Sequence, residues 1–279
     1  MKTKEPLYTR EGIDIFAETG LSTEEFDDSY FDFLFDIEEN NFWFKGRREL
    51  IFQIIRKFIP HYKDKKMLEI GCSGGNVLSF LQRKGIEVEG ADIFFHALKL
   101  AKSRVSTTFY QIDVKDIPFE DEFDIIGLFD VLEHIQDEEI VLENVYRSLK
   151  PKGYLLLTVP ALASLWSYFD EAVCHKRRYQ QVDLVSKLKR QGFSIIKTTF
   201  FSMFLLPIFV LRRKFGLGRF SRRQIDNVKD ELSLKPILNI LFLQLIRFEN
   251  LLIPFCSLPI GASLLILAKK PESDRGFIS

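Results

Sequence analysis

The 279-residue sequence predicts an α/β fold: a doubly wound, mostly parallel seven-stranded sheet with a helical N-terminal segment and a hydrophobic helical insertion before the last strand. Three observations predict it. From residue 66 onward, short apolar runs alternate with stretches of helical period, the pattern of parallel strands joined by crossover helices. The first runs end in glycine or aspartate. One long apolar, Phe-rich insertion of about sixty residues interrupts the alternation before the final run.

The elements follow in order. Residues 24–40 are acidic and aromatic and predict a loose helix. Across 43–59 the residues Leu50, Ile51, Ile54, Ile55 and Phe58 keep the three-four spacing of an amphipathic helix, which Pro60 ends. Residues 66–71 form a first strand running into Cys72-Ser73-Gly74-Gly75, then a helix. A second strand at 88–93 contains Asp92 near its end and is followed by a helix over 96–104. A third, at 108–112, leads to Asp113. The fourth spans 123–129, with a helix near 137–149, and Pro151-Lys152-Gly153 turns into the fifth at 154–159. After an irregular stretch come a helix at 183–191, a sixth strand at 193–200, the insertion, and a seventh strand at 263–269. This divides the chain into an acidic and aromatic cap (1–60), a core (61–200), an insertion (201–262), and a last strand with its tail (263–279).

Composition excludes several classes. Hydrophobic content of 46% with 28% charge supports a packed core, not disorder. Three cysteines without short spacing argue against a disulfide framework or a metal knuckle. The first ten residues lack the apolar run of a secretory signal, so the expected compartment is the cytoplasm. Thirty-nine basic residues balance thirty-nine acidic ones, and no nucleic-acid partner is expected. The balance hides a polarity. Residues 11–44 hold eleven acids and no Lys or Arg, whereas 172–235 hold fifteen basic residues against four acids. The two regions either pair within the fold or leave the basic one for an anionic partner.

Ligands of open α/β sheets sit beyond the carboxyl ends of the strands. There the chain places the small-residue turn 71–75, Asp92 and Asp113. The turn allows close backbone approach, but positions 71, 73 and 76 are Gly, Ser and Asn, which is not a dinucleotide fingerprint, and no phosphate-loop lysine follows. Asp92 can accept ribose hydroxyls, and Asp113 an exocyclic amine. Each residue alone also reads as a tight turn or a surface carboxylate. Their order is the informative part.

The segments LEIGCSGGNVLSFL, VEGADIFFHALKLAK, YQIDVKDIPFEDEFDIIGLFDVLEHI and VYRSLKPKGYLLLTVP resemble the successive motifs of class I S-adenosylmethionine-dependent methyltransferases, over residues 42–200. The resemblance is to the ubiquinone-biosynthesis-like group, including members associated with surface polysaccharides. It implies a Rossmann-like methyltransferase fold and S-adenosyl-L-methionine as cofactor. Glu69, Gly71, Ser73 and Gly75 would then line its methionine part, Asp92 would hold the ribose, and Asp113 would face the adenine, with Ile93, Val114 and Phe129 completing the pocket. Ser73 stands where the family usually has glycine. Arg47, in the aromatic-arginine segment 41–48, would pair with the cofactor carboxylate, or would simply be solvated beside a helix docked by Trp43. In the loop after the fifth strand, Trp166, Asp170, Arg178 and Tyr179 would face the acceptor. His175, with His134, would serve as general base, unless the histidine is structural. No metal is expected. The set Asp130, Glu133 and His134 is the candidate if there is one, because some relatives use a Glu–His pair here, with another histidine, to hold a divalent ion; the alternative is that Glu133 and His134 shape the pocket floor.

The expected reaction is O-methylation of a hydroxyl on a small, lipidic or lipid-linked acceptor, glycan or quinone-like. The alternative is a cofactor-binding, catalytically silent interaction protein, and an oxidoreductase is a distant third. The insertion bears on the acceptor. Phe200, Phe201, Phe204 and Phe209 precede Arg212-Arg213-Lys214, so the segment reads as a lid, a homodimer interface, or a peripheral contact at the inner face of the membrane. Residues 250–268 are uncharged over nineteen positions, but Pro254, Pro259 and Gly261 break them, which argues against a membrane span.

Overall fold

The computed structural model describes residues 4–18, 26–214, 226, 228, 229 and 232–272. Its centre is one mixed sheet. In chain order the strands are β1 (Tyr8–Arg10), β2 (Ile13–Ile15), β3 (Lys66–Ile70), β4 (Glu87–Asp92), β5 (Phe109–Gln111), β6 (Phe123–Phe129), β7 (Leu149–Pro160), β8 (Ser194–Phe201) and β9 (Ser263–Lys269). Across the sheet they run β1-β2-β5-β4-β3-β6-β7-β9-β8. The block from β2 to β7 is parallel. β9 lies antiparallel to both β7 and β8, between them. The chain direction reverses outward from β3, one crossover leading to β4 and the next side to β6, which opens a crevice above β3.

Among the described residues the sheet has nine strands, not the seven expected. The N-terminal segment opens with a β1–β2 hairpin, where a helical cap alone was expected. The hairpin exists because Ile13 and Ile15 are fully buried and Asp14 and Ile15 extend the ladder from Tyr110 and Gln111. Three-residue strands carry too little periodicity to be seen in sequence.

Helices cover both faces. α2 (Phe42–Phe58), α3 (Asn76–Gln82) and α4 (Phe95–Arg104) bury Leu50, Ile54, Leu78, Leu81 and Leu98 against one face. α5 (Glu138–Ser148) and α7 (Gln181–Arg190) bury Val141, Val145, Leu184 and Leu188 against the other. β3 shows the alternation that makes this possible: Met67 joins the first cluster, Leu68 and Ile70 the second. α1 (Asp28–Glu38) and the short α6 (Tyr168–Ala172) lie over the carboxyl ends of the strands.

The insertion is helical, as its composition predicts. It contributes α8 (Leu206–Lys214) and α9 (Pro236–Leu252). α9 packs along α2, where Ile246 fills the space left by Gly46. Polar latches fix this docking. The Asn239 side chain accepts from the Phe42 N–H (2.8 Å) and donates to the Asn40 carbonyl (2.9 Å), while the Asn250 amide donates to the Gly46 carbonyl (2.9 Å). Glu249, buried, accepts from the backbone N–H groups of Ser202, Met203 and Phe204, closing the turn after β8. Among the described residues, no helix is long and apolar enough to cross a membrane.

Candidate functional site

A cavity of about 560 Å³ lies at the carboxyl ends of β3 to β6, roofed by α1 and the start of α2. The structure brings Arg47, Glu69, Gly71, Ser73, Asp92, Ile93, Asp113, Val114, Phe129, His134, His175 and Arg178 to its wall, together with Asp130 and Glu133. Four sequence candidates do not line it. Gly75 begins α3 and sits against Ala101. Trp166 is exposed, and Asp170 and Tyr179 are buried behind the wall.

The floor is built by the turn after β3. Gly71 has φ +73°, and a β-carbon there would fall 2.3 Å from Val131 Cγ2, so glycine is required by conformation and by space. Ser73 also takes a positive φ, +46°, where the family pattern has glycine. Its N–H donates to Asp92 Oδ2 at 2.9 Å, which holds the unusual backbone in place. The turn leaves acceptors aimed inward: Glu69 Oε2, Ser73 Oγ and Asn76 Oδ1 are buried with no hydrogen-bond partner in the described structure. Burial pushes the Glu69 carboxyl well above the usual carboxylate range, and Glu38 and Asp92 add to the rise while Arg47 opposes it.

Asp92 is buried at the end of β4. One oxygen accepts from Ser73 and the other from the Phe94 N–H at 3.1 Å. Burial raises its pKa, and these backbone donors hold the rise down. Each oxygen keeps a second lone pair for an incoming hydroxyl. Asp113 is more open and turns back to accept from the Lys115 N–H. Arg47 reaches the cavity but donates to Asp130, whose other oxygen accepts from the Thr158 hydroxyl (3.1 Å).

The far end of the cavity holds the histidines. His175 Nδ1–H donates to Asp170 Oδ1 at 2.9 Å, and Nε2 lies 3.7 Å from Glu133 Oε1. Asp170 also accepts from Arg178 Nε (2.7 Å) and from the Ser167 N–H (2.9 Å). These donors hold its carboxyl below the usual carboxylate range against the opposing effect of burial. Asp170 thus orients His175 from behind the wall. Tyr179 likewise faces inward, donating its hydroxyl to Glu138 (2.7 Å). His134 stacks edge-on to His175 at 4.9 Å, and burial pulls its imidazole down to about 3, so it is neutral. Glu133 is fully buried with neither oxygen hydrogen-bonded in the described structure, and burial raises its carboxyl strongly. One ligand atom from each of Glu133, His134 and His175 lies within 4.8 Å of the others, whereas Asp130 is engaged by Arg47 and Thr158.

Sequence reasoning missed the roof. Phe26, Tyr30, Phe31 and Glu38 line the cavity from the acidic, aromatic segment. Glu38 is buried and accepts from Arg104 Nη1 (2.7 Å), an α4 residue 66 positions away. The signal available was aromatic residues interleaved with acids, which is unusual for a solvated helix.

The profile of the methyltransferase domain family matches residues 43–198. The ubiquinone biosynthesis O-methyltransferase of Idiomarina loihiensis is 29% identical over 112 residues, covering 36% of this chain and 46% of that protein. The protein of the same name from Pseudomonas savastanoi pv. phaseolicola is 31% identical over 101 residues, covering 34% of this chain and 44% of its own. The match therefore spans less than half the length of these curated relatives. Among solved structures, a SAM-dependent methyltransferase from Archaeoglobus fulgidus superposes with TM-score 0.51 at 21% identity, covering 86% of this chain and 99% of that one. Phosphoethanolamine N-methyltransferase 2 of Haemonchus contortus, in complex with S-adenosyl-L-methionine, gives 0.59 at 19% identity, covering 90% and 59%. At these identities the superpositions speak to the fold, and the profile, matching more than half the chain, speaks to descent: this chain belongs to the class I S-adenosylmethionine-dependent methyltransferase family.

Proposed function

We propose that this chain transfers the methyl group of S-adenosylmethionine to a hydroxyl of a small, lipidic or lipid-linked acceptor. The observation that carries the hydroxyl is His175: Asp170 occupies its Nδ1, and the ring lines a cavity whose roof includes Phe26, Tyr30 and Phe31. The cofactor fits the near end. Unpartnered acceptors at Glu69, Ser73 and Asn76, with buried Asp92 beside them, suit a ligand that brings hydroxyl donors and positive charge. When bound, the cofactor supplies an activated methyl group, so the protein's own work is placement and proton removal. Asp92 would accept the ribose hydroxyls, and Asp113 would face the base. Tyr30, Phe31 and Trp43 give this end of the cavity an apolar roof. Nε2 of His175 takes the acceptor proton, and Asp170 stabilises the cation so formed. Apolar walls and the curated O-methyltransferase relatives favour a quinone-like or lipid-linked hydroxyl.

The test is methyl transfer from labelled cofactor to a panel of hydroxylated quinone precursors and polyprenyl-linked glycans. His175→Ala should preserve cofactor affinity and lower turnover by about 10²–10⁴-fold. Wild-type turnover in that variant removes His175 as base. Cofactor binding with no acceptor methylated moves the chain to the silent interaction-protein reading. One observation favours a second reading of the same corner. The close set of Glu133, His134 and His175 can hold a divalent ion that orients a diol, in which case Nε2 is a ligand and not a base. Loss of activity on chelation, restored by a divalent cation, selects that reading.

A further inference from the structure

The described surface carries one long apolar stripe that no part of the cavity uses. On α9, Ile237, Ile240, Leu241, Phe248 and Leu251 are exposed, and Phe255 just beyond the helix continues the line. Counted from Ile237 they fall at +3, +4, +11 and +14, on one side of the helix with the exposed amide of Gln244 among them, opposite the buried Leu243, Ile246 and Asn250 that meet α2. Ile237 and Phe255, at the two ends, are 80% and 81% exposed, and the apolar residues between them are exposed too. Phe204, in the turn before α8, widens it by packing its ring 5.8 Å from that of Phe248. An apolar band of this extent on a protein surface marks a contact face.

Charge identifies the occupant. Lys235 is exposed at the start of the helix. At the other end, Arg56 and Lys57 are exposed, with Lys57 Nζ 5.0 Å from the Phe255 ring centroid, and Lys197 Nζ donates to the Cys256 carbonyl. Between residues 233 and 262 the sequence contains a single acid, Glu249, and it is buried in the turn after β8. Arg247 on the flank is already paired with Glu49. The stripe is therefore mostly apolar, with Gln244 as its one polar member, and basic at both ends. Pairing two copies, parallel or antiparallel, sets basic ends against basic ends, while the one carboxylate between residues 233 and 262 stays buried. An anionic bilayer supplies both complements, acyl chains for the stripe and lipid phosphates for its ends.

We propose that the outer face of α9, with Phe204 and Phe255, docks this chain onto an anionic membrane surface, lying in the interface without crossing it. The elements beside the stripe, α2 and α8, also wall the cavity through Phe42, Trp43 and Phe209. Docking thus brings one wall of the cavity to the bilayer. This goes beyond the proposed reaction and is tested without any acceptor.

The experiment is flotation of the full chain with vesicles of phosphatidylglycerol and phosphatidylcholine, and with phosphatidylcholine alone. Calorimetric binding of S-adenosylhomocysteine serves as the check that each variant is folded. The wild type should partition to the phosphatidylglycerol vesicles and be released by salt. Phe248→Ser with Phe255→Ser should weaken partitioning by about tenfold or more, because each removes a large exposed apolar side chain from the contact. Arg56→Glu with Lys57→Glu should weaken it and flatten its salt dependence. Either pair of changes should leave S-adenosylhomocysteine affinity unchanged. A folded wild type that does not prefer the anionic vesicles overturns the proposal. So does a double Phe variant that partitions like wild type. A wild-type dimer that the Phe changes convert to monomer, with no vesicle binding by either, assigns the stripe to self-association instead.

Discussion

Replacing Asp92 by asparagine preserves shape and volume while removing a charge and one acceptor, which makes it a sharp test of the proposed cofactor placement. In the structure one carboxylate oxygen accepts from Ser73 and the other from Phe94. An amide must turn its NH₂ group toward one of these N–H groups, so a donor faces a donor. Leaving that backbone group unsatisfied costs about 1–3 kcal/mol, and the cost appears in the stability of the free protein. Binding loses more. One ribose hydroxyl has no acceptor, and the other meets a neutral oxygen, where a charged acceptor would be worth roughly 1.5–3 kcal/mol. A combined binding loss of about 3 kcal/mol corresponds to roughly a hundredfold weaker Kd at 1.4 kcal/mol per tenfold. The assay is calorimetric titration with S-adenosylhomocysteine, with thermal unfolding measured in parallel. A Kd within about threefold of wild type, in a variant that melts cooperatively, refutes the placement of the ribose on Asp92.

Three further outcomes follow from the buried groups and the insertion. The raised pKa of Glu69 means that the native state keeps its proton above the pH at which the unfolded chain has released it. Its contribution to stability therefore falls as pH rises from the ordinary carboxylate value through the raised one. Glu69→Gln should melt like wild type in acid and progressively above it toward neutral pH, with weaker S-adenosylmethionine binding; a pH-independent difference in Tm excludes this origin. Glu249→Ala should destabilise the fold by about 2–4 kcal/mol, since it strands three backbone donors in the turn after β8, and urea unfolding measures it. Gly46→Val should cost about 1–3 kcal/mol by driving a side chain into Ile246, while a variant that also carries Ile246→Ala should recover most of the loss. Full additivity of the two changes in thermal unfolding would show that this helix contact is not where the strain lies.

The central strands were legible because burial on both faces writes itself as unbroken apolar runs, and the ligand-facing ends stand out as Gly71, Asp92 and Asp113. The β1–β2 hairpin was not legible. Its two buried residues, Ile13 and Ile15, have no pattern until β5 supplies the ladder. Asp170 shows a different limit. Sequence reasoning places it beside His175 in an acceptor-facing loop, but the capping of α6 turns it inward, where it is shared by His175 and Arg178. Glu38 shows a third. Its burial depends on Arg104, 66 residues away, and a long-range ion pair leaves no local trace in sequence. What periodicity encodes is which residues are inside; which polar residue meets which is decided by topology.

β9 sits between β7 and β8, and Phe201 at the end of β8 pairs with Ser263 at the start of β9. The chain thus leaves the sheet and re-enters it at one rung of the ladder. The excursion between them is pinned close to that rung: Leu258 bridges to Phe200, and Glu249 closes the turn after β8. Away from such ties, lengthening is cheap, since each doubling of a flexible loop costs only about 0.6 kcal/mol in closure entropy. The segment is thus an anchored detour: residues outside α9, Phe209 and Leu258 can change in number without disturbing the sheet that carries Asp92.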